Sequence, residues 1–415
     1  MVLKNIKRLN SKIEDITVNV NLSPSRIVSL DIIRGLFLIS ILIDHIELYP
    51  NGFDYFTGRG RLFVSAAEGF FFMSGLLVGM VYKRRLNLGM KFIVRKMWRR
   101  ALVLYLASVF FTLLFTALAV FTNHQTIKYG LYNVINWPHI IKETVLMRYG
   151  YGWADFLDRF ALLMFIAPFA FYLLTKGKWW LMSGISFLFW LWGQFGPQDN
   201  NFTITWQFLF NMAMLLGFYW PQINARWQSL KASTKKKIEL SIVGVSAITF
   251  LFSYASVYIL SVLNEKLPSL PHWLYNLTLH WNSFNSAVWV YAQKWTLGPL
   301  RLVLFALWFS VLFMLINKYS ETINRYTRYL VELLGRNSLL VYIEHAFIVF
   351  AFKYYIPPQT NFWQNFLFTA GALVALFIVT IIYKNIEPNV NKKVNSIIRG
   401  IKKPFLKLLV FSVEA

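Results

Sequence analysis

The chain has 415 residues, of which 57% are hydrophobic, 18% aromatic and only 14% charged. Soluble domains carry about a quarter charged residues, so this balance excludes a string of two or three soluble domains and points to an integral membrane protein. The net charge of +24 sits in short loops between apolar segments, as the positive-inside rule requires, rather than in a basic nucleic-acid-binding domain, and no nucleic-acid partner is expected. There is no cysteine, so a disulfide framework and a Cys-ligated metal are both excluded.

Residues 1–25 are polar and basic and lack the apolar core of a signal peptide; they read as a cytoplasmic tail. About 20 apolar residues span a bilayer. Candidate spans follow near 27–47, 63–83, 100–122, 156–175, 179–196, 203–221, 238–262, 299–317, 338–356 and 362–384. The fold class expected is therefore all-α, one polytopic helical bundle over 26–390 with about ten transmembrane helices. The stretch 123–155 is open between a surface loop, an interfacial helix and a re-entrant segment. Lys and Arg concentrate in 83–100, 235–237, 318–336 and 392–393. With ten spans these loops share one side, which places both termini in the cytoplasm. The opposite loops (48–62, 123–155, 197–202, 263–298 and 357–361) are less basic and rich in Trp, Tyr, Asn and Pro. Residues 391–415 mix Arg and Lys with Ile, Leu and Phe, which suits an interfacial amphipathic helix or a disordered basic tail.

Ionisable groups inside a membrane are costly and mark functional sites. The first span reads RIVSLDIIRGLFLISILIDHIELYP. Arg34 and His45 are eleven residues apart, which places them within about 20° of one helical face. Asp31, one turn before Arg34, can pair with it. Entering from the cytoplasm, Arg34 lies about 10 Å deep and His45 about 27 Å deep. One end of this polar stripe faces each leaflet, as a reaction with a cytoplasmic donor and an outer acceptor needs. In the second span, Glu68 falls near the depth of His45, and a carboxylate beside a histidine is a general-base arrangement. Glu68 also suits a helix N-terminus, and Arg34 suits a snorkelling anchor. Asp44 points about 100° away from His45 and reads as interfacial. Small residues of the second span, including Ser74, Gly75 and Gly79, permit close helix approach.

Further candidates are Glu344 and His345 in the ninth span, Asp158 beside Arg159 at the outer start of the fourth, and Trp206 and Gln207 at the start of the sixth. Each also has an ordinary structural role: helix packing, an interfacial ion pair or an aromatic belt. His124, His139, His272 and His280 lack metal-ligand spacing, and no HExxH, GxSxG or Walker motif occurs, so no metal site is expected.

These strings together have a familiar form. Arg34, ten intervening residues and His45 match the R-x10-H signature of membrane acyltransferases. SLDIIRGLFLISILIDH followed by SAAEGFFFMSGLLVGMVY resembles the OpgC-type branch, named for succinylation of osmoregulated periplasmic glucans. WADFLDRFALLMFIAP, TWQFLFNMAMLLG and LLGRNSLLVYIEHA are similar to its later landmarks, although ADFLDRFALLMF stands where a Leu-Pro-Leu-Tyr-like run is expected. The resemblance implies a bundle that moves an acyl group from cytoplasmic acyl-CoA to an extracytoplasmic sugar hydroxyl, in a bacterial inner membrane. It implies His45 as the essential base or acyl carrier, Arg34 as a donor-side residue and Glu68 as a group that orients His45 or meets substrate. Ser74, Asp158, Trp206, Gln207, Glu344 and His345 are the remaining binding candidates, with Arg84, Arg85 and Arg95 to Arg100 facing the CoA phosphates. The alternative is a transporter or flippase for a glycan, lipid or proton, since intramembrane Arg, Glu and His also line transport paths.

Overall fold

A computed structural model of the protein describes residues 27–122, 136–152, 155–196, 202–356 and 361–400. The expected cytoplasmic tail (1–25), His124 and the end of the expected C-terminal amphipathic segment (401–415) lie outside the described residues. Every regular element among the described residues is helical. In chain order they are α1 (Val28–Ile46), α2 (Ala66–Arg84), α3 (Met90–Phe121), α4 (Trp137–Val145), α5 (Asp155–Thr175), α6 (Trp179–Phe195), α7 (Phe202–Phe218) and α8 (Trp220–Ser229). Then come α9 (Ala232–Tyr254), α10 (His272–Tyr291), α11 (Pro299–Thr327), α12 (Leu330–Arg336), α13 (Ser338–Tyr355) and α14 (Phe362–Gly400). A π-helical turn, Ala255–Ile259, carries α9 on to Glu265. Among the described residues five helices are long and apolar enough to cross a membrane, or up to seven if each bent pair is one span.

The helices begin and end where their chemistry dictates. α3 starts ten residues before the apolar run at 100 because Ile93, Met97, Ala101 and Leu104 form one buried stripe through its cationic first turns. The basic residues on the other faces remain outside the core. The expected loop 263–298 contains α10, a helix of 20 residues in which only Thr278 is buried. Its mixture of Trp and Val with Asn and His gives no apolar run, which hid it from a span search. α4 lies in the open stretch 123–155. The Tyr105 hydroxyl donates to the Val145 carbonyl over 2.8 Å, which puts the end of α4 about 24 Å back along α3 from Phe121. The segment thus folds back beside α3 rather than looping clear of it.

α1 is the axis of the bundle, wrapped by α2, α11, α12, α13 and α14. Its Ile32, Ile33 and Leu42 are fully buried. Large apolar side chains such as Phe169, Leu188 and Leu251 face outward, the inverse of a soluble surface and suited to lipid. The small residues of α2 allow the expected close approach: a Cβ on Gly75 or Gly79 would collide with the α7 backbone at Phe210 and Met214.

The tightest contact is between α1 and α12. A Cβ on Gly35 would strike the Val331 carbonyl, and one on Gly335 would strike the Asp31 carbonyl. The chain then turns by 101° between α12 and α13, and Asn337 Nδ2 holds the corner by donating to the Leu333 carbonyl over 2.8 Å. This corner sets Ser338 against Arg34. Gly335→Ala is expected to lower stability by about 1–3 kcal/mol, the usual range for overpacking, and to push Ser338 away from Arg34. Thermal unfolding of the detergent-solubilised protein checks the first effect; no shift in midpoint would contradict it.

Candidate active site

The last turn of α1 carries His45, and the middle of α13 carries His345 beside it. His45 Nδ1 and His345 Nε2 are 3.2 Å apart, and the ring centroids are 5.4 Å apart. His345 is buried and His45 half-buried. The other nitrogen of His345, Nδ1, donates to the Tyr342 carbonyl one turn earlier. That bond has a consequence for the whole pair. A carbonyl can only accept, so Nδ1 of His345 carries a proton, and in the neutral ring its Nε2 presents a lone pair. His45 must then donate through Nδ1–H, which leaves His45 Nε2 as the unprotonated nitrogen. The backbone of α13 therefore selects the tautomer of a ring on another helix.

The partner of His45 is thus His345, not Glu68 as expected. Glu68 is fully buried, and its oxygens are occupied. Oε2 accepts from the Ser65 backbone N–H over 2.8 Å and the Ser65 hydroxyl over 2.7 Å, and Oε1 accepts from Arg301 Nη1 over 2.6 Å. The helix-start role open for Glu68 is the one its geometry serves, with a buried ion pair added. Among the described residues Glu68 makes no hydrogen bond to His45. Arg301 also donates through Nε to the Ala292 carbonyl over 2.8 Å and through Nη2 to the Leu62 carbonyl over 3.3 Å. It clamps the start of α2 to two loops.

A short strap, residues 292–298, sits among these groups. Buried non-helical backbone needs partners for its carbonyls, and the strap has them. Those of Lys294, Trp295, Thr296 and Leu297 accept from Trp206 Nε1 (3.1 Å), Thr205 Oγ1 (3.2 Å), Gln194 Nε2 (2.7 Å) and Trp190 Nε1 (2.9 Å). Trp206 is accordingly fully enclosed; its ring stacks on Phe202 at 4.3 Å and meets Phe71 edge-on at 4.7 Å. Expected as a binding residue, it donates its indole N–H to the strap. Gln207 bridges α6 and α7: its Oε1 accepts from Ser186 and Asn211, and its Nε2 donates to the Ser186 carbonyl. Its carboxamide thereby ties α6 to α7. Glu344, next to His345, faces α14, where its Oε2 accepts from Thr380 Oγ1 over 2.8 Å.

On the Arg34 side a cleft opens between α1, α2, α3, α5 and α13. Arg34 donates to Ser338 Oγ. The cleft is lined by Arg34, Arg100, Ser74 and Ser338, with Phe70, Phe156, Phe160 and Tyr342 as aromatic walls. Ser74 donates to the Phe70 carbonyl over 2.9 Å. Asp158 is half-buried on α5, next to the lining residue Leu157. Asp31 is buried on α1, its carbonyl against Gly335. Tyr342 links the two regions, because its ring lies 4.6 Å from that of His345. Two cations at one end and a histidine pair at the other are thus joined by an aromatic wall.

A folded loop covers the His45 end. Asp54 is buried there and accepts from the Asn51 and Gly52 N–H groups and from Arg59 Nε over 2.9 Å. Asn51 Nδ2 ties the loop to Thr369 of α14 over 3.2 Å. Burial, then the carboxylates of Asp44, Glu47 and Asp54, pushes the Tyr49 phenol up from its ordinary range, so it stays neutral beside them. Among the described residues no group of three or more His, Asp or Glu is placed to hold a metal ion.

Sequence reasoning missed Arg301, Ser338 and Tyr342. Arg301 had a usable signal: it stands two residues after Pro299, inside an apolar run, as Arg34 does. Ser338 and Tyr342 carried none, since their importance comes from the corner between α12 and α13.

A comparison with curated proteins found no match. The family described as OpgC protein matches residues 26–387. With nearly the whole chain covered, from before Arg34 to beyond Thr380, the protein belongs to the OpgC family, and this membership implies a membrane-embedded transferase.

Proposed function

We propose that the protein is a transmembrane O-acyltransferase that moves an acyl group, succinyl in the first instance, from cytoplasmic acyl-CoA to a hydroxyl of an extracytoplasmic glycan. Its membrane is the bacterial cytoplasmic membrane. Ten crossings with both termini inside fit the distribution of Lys and Arg and put Arg34 in the inner half and His45 in the outer. The observation that supports this reading best is the fixed tautomer: Tyr342 carbonyl, His345 and His45 in series leave Nε2 of His45 ready to accept a proton.

In the reaction, Nε2 of His45 takes the proton of the sugar hydroxyl as its oxygen attacks the thioester carbon. A C–O bond forms, the C–S bond breaks, and the proton passes to the departing CoA sulfur. The cleft of Arg34 and Arg100 receives the donor from the inner side. The aromatic wall ending at Tyr342 guides the thioester toward His45.

The test is direct. Purified protein incubated with [14C]succinyl-CoA and an osmoregulated periplasmic glucan is expected to give a labelled glucan ester that alkali releases, with one free thiol per ester formed. Intact succinyl-CoA and unlabelled glucan after incubation with folded protein would overturn the reading.

A further inference from the structure

α10 differs from the other long helices in what it shows to its surroundings. Its 20 residues make a rod about 30 Å long, and residues 267–293 contain no Asp, Glu, Lys or Arg. One face is fixed to the protein. Trp289 packs against Phe63 of the covering loop, with ring centroids 5.8 Å apart. Asn282 and Asn264 exchange amide hydrogen bonds of 2.7 and 3.0 Å, and Thr278 is fully buried.

The outward side carries two different arcs. At about 100° per residue, Trp273, Leu277, Phe284 and Tyr291 fall within about 40° of one another. They are 68%, 53%, 57% and 60% exposed, so an open apolar stripe with aromatic ends runs the length of the helix. His272, Asn276, Ser283 and His280 fall within about 80° on the neighbouring arc, and all four are exposed. Ala287 and Val290 are the apolar members of that arc.

Neither water nor hydrocarbon alone suits such a helix. Water on all outward sides would wet a continuous apolar stripe. Hydrocarbon on all outward sides would strand the imidazoles, amide and hydroxyl of the polar arc. The membrane surface serves both arcs at once. The stripe also continues a surface that already faces lipid. Phe284 meets Phe252 of α9 edge-on at 6.1 Å. Leu251, the next residue, is 65% exposed on a helix long and apolar enough to cross the membrane.

We infer that α10 is an interfacial helix whose stripe of Trp273, Leu277, Phe284 and Tyr291 sinks among lipid acyl chains while the arc from His272 to His280 faces water. The leaflet is the one on the covering-loop side, which is the outer leaflet in the topology proposed above. Interfacial helices commonly add Lys and Arg that draw anionic headgroups. α10 has none, so it holds by apolar area and is indifferent to headgroup charge. The inference uses only the embedding of the protein in a membrane, and it stands whichever group the protein transfers.

The chain has no cysteine, so Leu277→Cys, Phe284→Cys, Asn276→Cys and Ser283→Cys each accept a nitroxide label at one site only. The four labelled proteins are placed in phosphatidylcholine nanodiscs, and relaxation of each label by oxygen, which enters lipid, is compared with relaxation by a water-soluble nickel chelate. At 277 and 284 oxygen is expected to dominate, and at 276 and 283 the nickel chelate. Replacing part of the phosphatidylcholine by phosphatidylglycerol is expected to leave all four ratios unchanged. Nickel access at 277 and 284 equal to that at 276 and 283 would put α10 in water and overturn the inference. Oxygen dominance at all four sites would put the helix inside the hydrocarbon and overturn it equally. Exclusion of both agents from 277 and 284 would mean that protein covers the stripe, a second copy if the labels also couple to one another. A shift with phosphatidylglycerol would overturn the indifference to charge.

Discussion

His45→Ala is expected to cut glucan acylation by about 10²–10⁴-fold, the range attributed to general-base catalysis, while the protein purifies and unfolds like wild type. The ring is half-buried at the end of α1, and among the described residues its one hydrogen bond is to His345, so its removal leaves the core intact. His345 acts through His45 and is a positioning residue. Its role divides into an acceptor for Nδ1–H and a packed ring. His345→Gln keeps a side-chain carbonyl that can accept, whereas His345→Leu keeps bulk without an acceptor. Gln is therefore expected to retain more activity than Leu. Equal activity in the two variants would show that the ring serves only packing. The comparison uses kcat for both, with unfolding midpoints as the control.

Arg301→Met is expected to have the largest effect on stability. The guanidinium is buried, its carboxylate partner is fully buried, and their N–O distance is 2.6 Å. Removing one partner of such a pair leaves an uncompensated charge and costs about 3–5 kcal/mol. Here the Ala292 and Leu62 carbonyls lose their donors as well, so the strap and the loop into α2 both loosen. The double variant R301M/E68Q removes the stranded charge and is expected to recover much of the loss. Thermal unfolding of the wild type, both single variants and the double variant closes a double-mutant cycle. Additive losses would mean that Glu68 and Arg301 do not act as a pair.

These two predictions concern residues that the sequence revealed to very different degrees. Arg34 and His45 were legible because helical geometry alone puts them on one face of one helix. Periodicity also placed α1, α2 and α5 to α7 close to their observed ends, since apolar length is a local property. Glu68 was legible as a buried carboxylate but not in its pairing. Depth along two helices does not fix their rotation, and rotation turned Glu68 to Arg301 and left His45 to His345. The His45–His345 contact joins residues 300 positions apart, and it depends on the 101° corner before Ser338, which hydropathy does not register. α10 and the strap were illegible for a related reason. The strap is held by side chains of α6, α7 and α11 that reach its carbonyls, and no apolar run announces either segment.

The same geometry explains why a cleft of cations and a histidine pair occupy one bundle. α1 spans the distance between them, α12 packs against it through Gly35 and Gly335, and α13 carries both Ser338 and His345. A displacement at the α1–α12 contact thus reaches both ends of the site.

The central claim is that an acyl group crosses from a donor inside to a hydroxyl outside by way of His45. It is tested most directly in sealed vesicles of uniform orientation, with [14C]succinyl-CoA enclosed on the side of the chain termini and periplasmic glucan added to the other side. Label is predicted to appear as glucan ester outside wild-type vesicles and to stay inside with His45→Ala. Labelled ester at equal rates with and without His45, or passage of unmodified glucan or free succinate in place of ester, would contradict the account.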